Sequence, residues 1–404
     1  MSNIVGEPLN TELFIPQNST KYDHELPEVS IVIPALNEKI TIGEFVDWCW
    51  QGLSDAGVKG EIIIVDSSSD ETPNIALSKG ARVLRTPKRG LGQAYLDAIP
   101  YIRGEFIIMG DCDLTYDFRE IKAFVDKYHE GSEFVMGSRF KGSIEDGAMP
   151  ALHRYFGTPI TTWILNTIYG SNYSDIHCGM RGLTKKALHE INLTSTGWEY
   201  ASEMVLKASR LGLSIAEVPV KFYKDRDGRL SHHRRAGFWS PWHAGWINLK
   251  IMLTYSPDSF ILKPGLLLVI LGLLVSVFSS INGIEVFGIG FGRNIFVAGG
   301  AIMVLGVSLI ETALLARAIH GLRPGVSNYI MKKITYDIGM LITFFFLSLG
   351  ILLVFNFVLD FVISGHKANS ISSYTITGFY ALIIGFKMLG FTLVLELIRK
   401  KGIL

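Results

Sequence analysis

Asp111 and Asp113 are, by type and spacing, the two residues best suited to chemistry in this chain. They stand at i and i+2, just past the apolar run Phe106-Ile107-Ile108-Met109 and the glycine that ends it. Side chains two apart on an extended segment point the same way, so the two carboxylates can converge on one cation. Hard oxygen donors, completed by water and substrate phosphates, suit Mg²⁺ or Mn²⁺ holding a diphosphate. A solvated acidic turn is the plainer reading of an isolated Asp-x-Asp, so the choice rests on what surrounds the pair.

Upstream, the apolar run at residues 29–34 ends at Pro34, and Asn37-Glu38 opens a segment in which Ile42, Phe45, Val46 and Cys49 recur at helical spacing. Residues 61–65 form a second apolar strand, followed by Asp66-Ser67-Ser68-Ser69-Asp70-Glu71-Thr72-Pro73, a stretch suited to capping a helix around residues 75–78. A third strand at 81–84 leads into Lys88-Arg89-Gly90-Leu91-Gly92-Gln93-Ala94, and the fourth strand carries the Asp pair. Short apolar strands alternating with helices predict an α/β fold with a mostly parallel sheet covered on both faces.

Ligands of such sheets bind beyond the carboxyl ends of the strands. Residues 34–38, 66–70 and 111–113 all fall at those ends. Asp66 has the chemistry to bond a base or ribose edge, or simply to cap a helix. Gly90 and Gly92 permit close backbone approach, or simply a turn. Neither a Gly-x-Gly-x-x-Gly turn nor a Gly-x-x-x-x-Gly-Lys-Ser/Thr loop is present here, which argues against a dinucleotide enzyme or a P-loop ATPase.

Further along, residues 135–139 read as a strand that delivers Arg139 to the same edge, followed by His153-Arg154 and by Asp175-Ile176-His177-Cys178-Gly179-Met180-Arg181. Several arginines after a metal motif suggest a second anionic substrate, because the guanidinium fork matches phosphate oxygens. Residues 198–204 begin a helix and 215–220 a later strand. A basic run then carries Lys224, Arg226, Arg229, His232, His233, Arg234 and Arg235, placed to meet phosphate head groups.

The totals narrow the classes. Lys plus Arg is 38 against 37 Asp plus Glu, a net charge of +1 that points to no nucleic-acid partner. With 404 residues, 49% of them hydrophobic, and a mean hydropathy of +0.31, the chain is part membrane. Cys49, Cys112 and Cys178 are odd in number and scattered, which indicates neither a disulfide framework nor a zinc site and fits a reducing cytosol. The first 27 residues are polar and irregular, lack a cleavable signal pattern, and are expected to be flexible.

The second half supplies the membrane. Residues 236–258, with Trp239, Trp242 and Trp246 and few charges, suit a helix lying in the interface. Apolar spans near 262–281, 294–316, 338–360 and 374–398 are each long enough to cross the hydrocarbon layer. The connection 317–337 holds Arg317, Arg323, Lys332 and Lys333 and the tail ends Arg399-Lys400-Lys401, while the other two loops carry one basic residue each. The positive-inside rule therefore places the first half and both termini in the cytoplasm. Glu311 and Lys387, costly in lipid, are expected to face the bundle interior or each other.

In order, Val-Ile-Pro-Ala-Leu-Asn-Glu (32–38), Val-Asp-Ser-Ser-Ser-Asp-Glu-Thr (65–72), Lys-Arg-Gly-Leu-Gly-Gln-Ala (88–94), Asp-Cys-Asp (111–113), Gly-Ser-Arg (137–139) and Asp-Ile-His-Cys-Gly-Met-Arg (175–181) resemble glycosyltransferase family 2. More narrowly they resemble the polyprenyl-phosphate glycosyltransferases, the dolichyl-phosphate mannose and glucose synthases, over roughly residues 27–255. The resemblance implies a GT-A catalytic domain at 28–235, the interfacial helix at 236–258 and a four-helix transmembrane domain at 259–404. It implies a nucleotide-sugar donor (UDP-glucose, GDP-mannose or UDP-N-acetylglucosamine) held by Pro34, Asn37, Glu38, Asp66, Gly92, Gln93 and Cys112, with Asp111 and Asp113 on Mg²⁺ or Mn²⁺. It places the polyprenyl phosphate on Arg139, Arg154, Arg226 and Arg229, with Asp111, Asp113 and Arg139 catalytic.

Two departures stand out. Thr115 occupies the position where mannose synthases often carry a glutamine as third metal ligand, and Gly228-Arg229-Leu230-Ser231 replaces a Gly-Glu-Ser-Lys-like stretch. A processive polysaccharide synthase would show Gln-x-x-Arg-Trp, which is absent; a lipid-sugar transporter would make Glu311 and Lys387 central. The expected reaction is a metal-dependent, inverting transfer at the cytoplasmic membrane face, with membrane lipids as surroundings and a homo-oligomer left open.

Overall fold

The structure, a computed structural model, describes residues 6–16, 26–226, 254–281, 292–320, 333–364 and 371–401, together with 228, 246, 250, 285–286 and 289–290. Arg229, the rest of the basic run to Arg235 and most of the expected interfacial helix lie outside the described residues. The chain divides into two compact units, Met1–Met252 and Leu253–Leu404.

In the first unit an eight-stranded sheet runs β1-β4-β3-β2-β5-β7-β6-β8. Its strands are β1 (Glu12–Phe14), β2 (Val29–Ala35), β3 (Gly60–Asp66), β4 (Arg82–Arg85), β5 (Phe106–Met109), β6 (Phe134–Ile144), β7 (Arg181–Thr184) and β8 (Ile215–Phe222). The contiguous set β4-β3-β2-β5 is parallel, as alternating strands and helices require. Every residue of β3 and β5 is buried, which is why residues 62–65 and 106–109 read as unbroken apolar runs rather than alternating ones. α1 (Ile42–Ala56) supplies part of the cover, with Ile42, Phe45, Val46, Cys49 and Leu53 buried and the turn closed by left-handed Gly57. α2 (Thr72–Ser78), α3 (Leu91–Ala98) and α4 (Lys122–His129) complete the α/β layers around this set.

The sheet departs from the expected parallel order at two places. β7 is antiparallel to both β5 and β6, because the chain returns to the sheet after a long excursion that includes α5 (Thr158–Tyr169). Its sequence Arg-Gly-Leu-Thr carries no apolar run, so spacing alone could not announce it. α6 (Lys185–Ile191) and α7 (Tyr200–Leu211) follow it before β8. At the other edge, β1 pairs antiparallel with β4 through Glu12↔Arg85, Leu13↔Leu84 and Phe14↔Val83. Part of the segment expected to be irregular therefore extends the sheet.

Among the described residues the second unit has four helices long and apolar enough to cross a membrane, Asp258–Ser280, Arg293–Ile319, Tyr336–Ile363 and Ser373–Lys400. The first packs on the second, the third on the fourth, and the second also touches the fourth. Glycines set these contacts: a Cβ on Gly272 would lie 2.5 Å from the Gly299 carbonyl, and one on Gly339 would lie 2.4 Å from Thr392 Oγ1. Such close backbone approach is the means by which helices associate where the hydrophobic effect cannot drive them together.

Lys387 of the fourth helix reaches Glu311 of the second, Nζ to Oε2 3.1 Å, and Glu311 is only 7% exposed. The two intramembrane charges thus face each other. Lys387→Ala strands a buried carboxylate and is expected to cost about 3 kcal/mol or more. Thermal unfolding of the detergent-solubilised protein checks this, with Glu311→Gln/Lys387→Met expected to recover most of the loss.

Candidate active site

Asp111, Cys112 and Asp113 leave β5 at the end where the parallel strands deliver their loops. Leu114 adopts a left-handed backbone (φ 63°), and this turn lets Thr115 fold back so that its amide (3.0 Å) and hydroxyl (2.6 Å) both donate to Asp113 Oδ1. Thr115, where a third metal ligand was in doubt, instead orients the second carboxylate. A Cβ on Gly179 would sit 2.8 Å from Asp111 Oδ2 and 3.0 Å from the Tyr116 ring, so the 175–181 loop lies close against this carboxylate. The Gly179 amide donates to the Tyr116 hydroxyl at 2.9 Å.

That loop also carries Asp175, which is fully buried. It accepts from Arg139 Nε (2.7 Å), Arg139 Nη2 (2.8 Å) and the Arg139 amide (3.1 Å). Arg139 is 9% exposed and its guanidinium lies 5.3 Å from the Phe222 ring. The structure thus brings Asp111, Tyr116, Gly179, Asp175 and Arg139 into one connected cluster. It also shows Arg139 already committed on two of its nitrogens to a carboxylate, which leaves the two Nη1 hydrogens and one on Nη2 to meet a further anion.

The other arginines differ. Arg154 sits in a single turn, His153–Gly157, ahead of α5, with its guanidinium 5.7 Å from the Tyr155 ring. No ion pair engages it among the described residues. Arg226 pairs with Glu44 at 2.6 Å, both about half exposed, so its attraction to a phosphate competes with a surface salt bridge.

Several expected donor contacts prove to hold the chain itself. Gly92 is buried, and its amide donates to Gly197 O (3.2 Å) while that of Gln93 donates to Thr196 O (3.0 Å). A Cβ on Gly90 or Gly92 would strike the carbonyl of Thr196 or Ser195 at 2.2 Å. The close approach these glycines permit is therefore that of the chain's own 194–197 loop. Gln93 Nε2 donates to Asp97 at 2.8 Å, and the Cys112 thiol, turned inward, donates to the Pro34 carbonyl at 3.5 Å. Glu38 is 4% exposed and its carbonyl accepts from the Thr41 and Ile42 amides, starting α1. Asn37 (φ 57°) accepts from the Ser69 amide at 2.9 Å and donates its own amide to Ser68 Oγ at 2.7 Å, tying the β2 and β3 ends together.

Asp66 is fully buried, with Oδ2 taken by Arg85 Nη1 and by the Ser68 amide (3.2 Å). Oδ1 finds no hydrogen-bond partner among the described residues. Burial pushes its carboxyl up, against the hydrogen bonds from Ser68 and the Arg85 charge.

Two features escaped sequence reasoning. His177 Nε2 lies 2.9 Å from Thr161 Oγ1 of α5, linking that helix to the Asp175 loop. Burial, with Arg139 beside it, pulls His177 down to about 4. It is neutral at pH 7, so as pH falls the unfolded chain takes the proton first. Stability is expected to decline between about pH 6.5 and about pH 4, by up to about 3 kcal/mol. Denaturation midpoints across that range check this, and His177→Gln should flatten the slope. The second feature is an apolar helical face: Leu152, Tyr155, Phe156, Ile160 and Trp163 are 51–67% exposed. Their spacing of three and four residues, legible in the sequence, is that of one helix side.

Among the described residues no three His, Cys, Asp or Glu side chains gather as a metal cage. Asp111 and Asp113 offer two carboxylates, and a cation held by so few protein ligands is one completed by water and a diphosphate.

The family model described as glycosyl transferase family 2 matches residues 30–191. A low-salt glycan biosynthesis hexosyltransferase, Agl6, of Haloferax volcanii is 33% identical over 371 residues, covering 90% of this chain and 87% of that protein. A dolichyl-phosphate hexose transferase of the same organism is 30% identical over 219 residues, 53% of this chain and 91% of that protein. Among solved structures, mannosyl-3-phosphoglycerate synthase from Rubrobacter xylanophilus superposes with TM-score 0.45 at 20% identity, covering 56% of this chain and 72% of that one.

Proposed function

This chain belongs to glycosyltransferase family 2, and from that membership we propose that it transfers a hexose from a nucleotide sugar to the phosphate of a polyprenyl lipid. The observation that carries the reading is the clustering of the Asp111–Asp113 pair with the Asp175–Arg139 pair at one sheet edge, in a chain that also bears four membrane-spanning helices. The 371-residue likeness to a hexosyltransferase is too long to be confined to the first unit. One relative is named for dolichyl phosphate as well, which fits an anionic lipid acceptor.

Asp111 and Asp113 would hold Mg²⁺ or Mn²⁺, which when bound neutralises the charge that builds on the departing nucleoside diphosphate. The direction of the Asp113 carboxylate is set in advance by Thr115, so little reorganisation of it is needed at the moment of reaction. The acceptor phosphate monoester is already anionic at neutral pH, so its oxygen attacks the anomeric carbon without a strong base. A single displacement inverts that centre. Arg154, and Arg139 through Nη1, would orient the acceptor phosphate, with Arg226 and Arg229 contributing as outer contacts. The apolar face from Leu152 to Trp163 would rest in the lipid interface, with the Tyr155 and Trp163 rings at head-group level. The distribution of Lys and Arg among the loops favours a cytoplasmic catalytic unit with both termini on that side.

The test is the product made from a panel of UDP-glucose, GDP-mannose and UDP-N-acetylglucosamine with polyprenyl phosphate and Mn²⁺, read by mass spectrometry. One hexose per lipid phosphate from one donor supports the proposal. Long chains would favour a processive synthase, and nucleotide-sugar binding with no product would favour a transporter.

A further inference from the structure

Arg139 and Arg154 stand on different elements, β6 and the turn ahead of α5, yet a continuous run of hydrogen bonds joins the two places. Arg139 gives Nε and Nη2 to Asp175, and the same carboxylate accepts from the His177 amide at 3.2 Å. The His177 ring lies against α5, with Nε2 2.9 Å from Thr161 Oγ1. Thr161 Oγ1 is in turn 2.7 Å from the Gly157 carbonyl, with the Thr158 carbonyl farther off at 3.1 Å. Gly157 ends His153–Gly157, the turn that carries Arg154. A hydroxyl has one hydrogen, and this one goes to a helix carbonyl. Thr161 Oγ1 is therefore the acceptor from His177, whose Nε2 bears the proton and donates.

A threonine hydroxyl bonded to the carbonyl four residues back is ordinary in a helix. Two features here are not. The turn is wide, since the Thr158 amide reaches the His153 carbonyl five residues back, a geometry that is rare and concentrated at functional sites. The hydroxyl is also held from outside the helix, by an imidazole on the loop that fixes Arg139, and Arg139 and His153 both lie close enough for their charges to act on that ring. With no ion pair to fix it among the described residues, Arg154 takes its direction from the turn and from the Tyr155 ring within it. We infer that His177 is a positioning residue: through Thr161 it fixes the turn of Arg154 relative to Arg139, so that the two guanidinium groups meet one acceptor phosphate as a pair. Groups fixed in advance lose little freedom when the phosphate arrives, which is where a preorganised site gains affinity. Left loose, each arginine would act as an exposed charge of much smaller worth.

This rests on the acceptor reading above, and the experiment separates the two. Farnesyl phosphate, farnesol and Mn²⁺ are each titrated by calorimetry into the detergent-solubilised full chain, Arg154→Ala, Thr161→Val, His177→Leu, His177→Gln and Thr161→Val/His177→Leu. Farnesyl phosphate binding is expected to weaken about tenfold in Thr161→Val and in His177→Leu, the worth of one charge-assisted hydrogen bond, with farnesol and Mn²⁺ affinities changed less than about twofold. His177→Gln keeps an N–H donor and is expected to stay within about threefold of wild type. The double variant should bind no more weakly than the weaker single, because the two side chains act through one bond. A role confined to holding the fold would move all three affinities together and would not tell Gln from Leu. Thr161→Val carries the result where His177→Leu lowers the unfolding midpoint. Weaker farnesyl phosphate binding in Arg154→Ala but not in Thr161→Val, or His177→Gln as weak as His177→Leu, overturns the inference and leaves the acceptor reading standing. Farnesyl phosphate binding unchanged in Arg154→Ala removes that arginine from the acceptor site and the inference with it. Farnesyl phosphate bound no tighter than farnesol by the full chain overturns both.

Discussion

Asp113→Ala is expected to lower kcat by about 10²–10³ while leaving the fold intact, the loss typical when one preorganised stabiliser of developing charge is removed. The residue is partly exposed, and the bonds it accepts from Thr115 lie within one turn, so its removal opens no cavity in the core. The expected split is a collapse of turnover with an unfolding midpoint within a degree or two of wild type. Asp113→Asn keeps the acceptor for Thr115 but loses the charge, and it should fail nearly as badly. Chelation of divalent cations should reproduce the defect in wild type and add nothing to the variant. Turnover kinetics with parallel thermal unfolding decide the matter, and a variant with wild-type turnover would remove the metal role from this pair.

Asp175→Asn is expected to be the most destabilising single change in the catalytic unit, at about 3–5 kcal/mol. The carboxylate is fully buried and accepts two nitrogens of the Arg139 guanidinium, the Arg139 amide and the His177 amide (3.2 Å). Its neutral amide would leave the Arg139 charge buried without compensation. Arg139→Met alone should cost a similar amount, and the double variant should cost less than the two singles together. A denaturant-unfolding cycle measures that coupling, and an additive result would mean that the pair is not the unit described above. Turnover is expected to fall with either single variant, because Asp175 leads the loop that brings Gly179 close to Asp111.

The legible and illegible parts of this chain divide on physical grounds. Strands β2, β3 and β5 stood out because both faces are buried and their central runs, 31–33, 62–65 and 106–109, are apolar. The spanning helices stood out because hydrocarbon tolerates little else. β7 and β1 did not, since each is a strand of three or four residues at a place fixed by its neighbours rather than by its composition. Asp111 and Asp113 could be picked out by spacing. The partners of Asp66, Gly92, Gln93 and Cys112 could not, because Arg85, the 194–197 loop, Asp97 and Pro34 are brought to them only by tertiary folding. Residue type told which groups could meet a ligand; packing decided that several of them meet the chain instead.

The most direct measurement is the transfer of label from a radiolabelled nucleotide sugar into the organic phase, with polyprenyl phosphate and with unphosphorylated polyprenol as parallel acceptors. Label that enters the lipid only with the phosphate, requires Mg²⁺ or Mn²⁺, and is lost in Asp113→Ala is the predicted result. Equal labelling of the alcohol, or labelling that persists in Asp113→Ala, would contradict it.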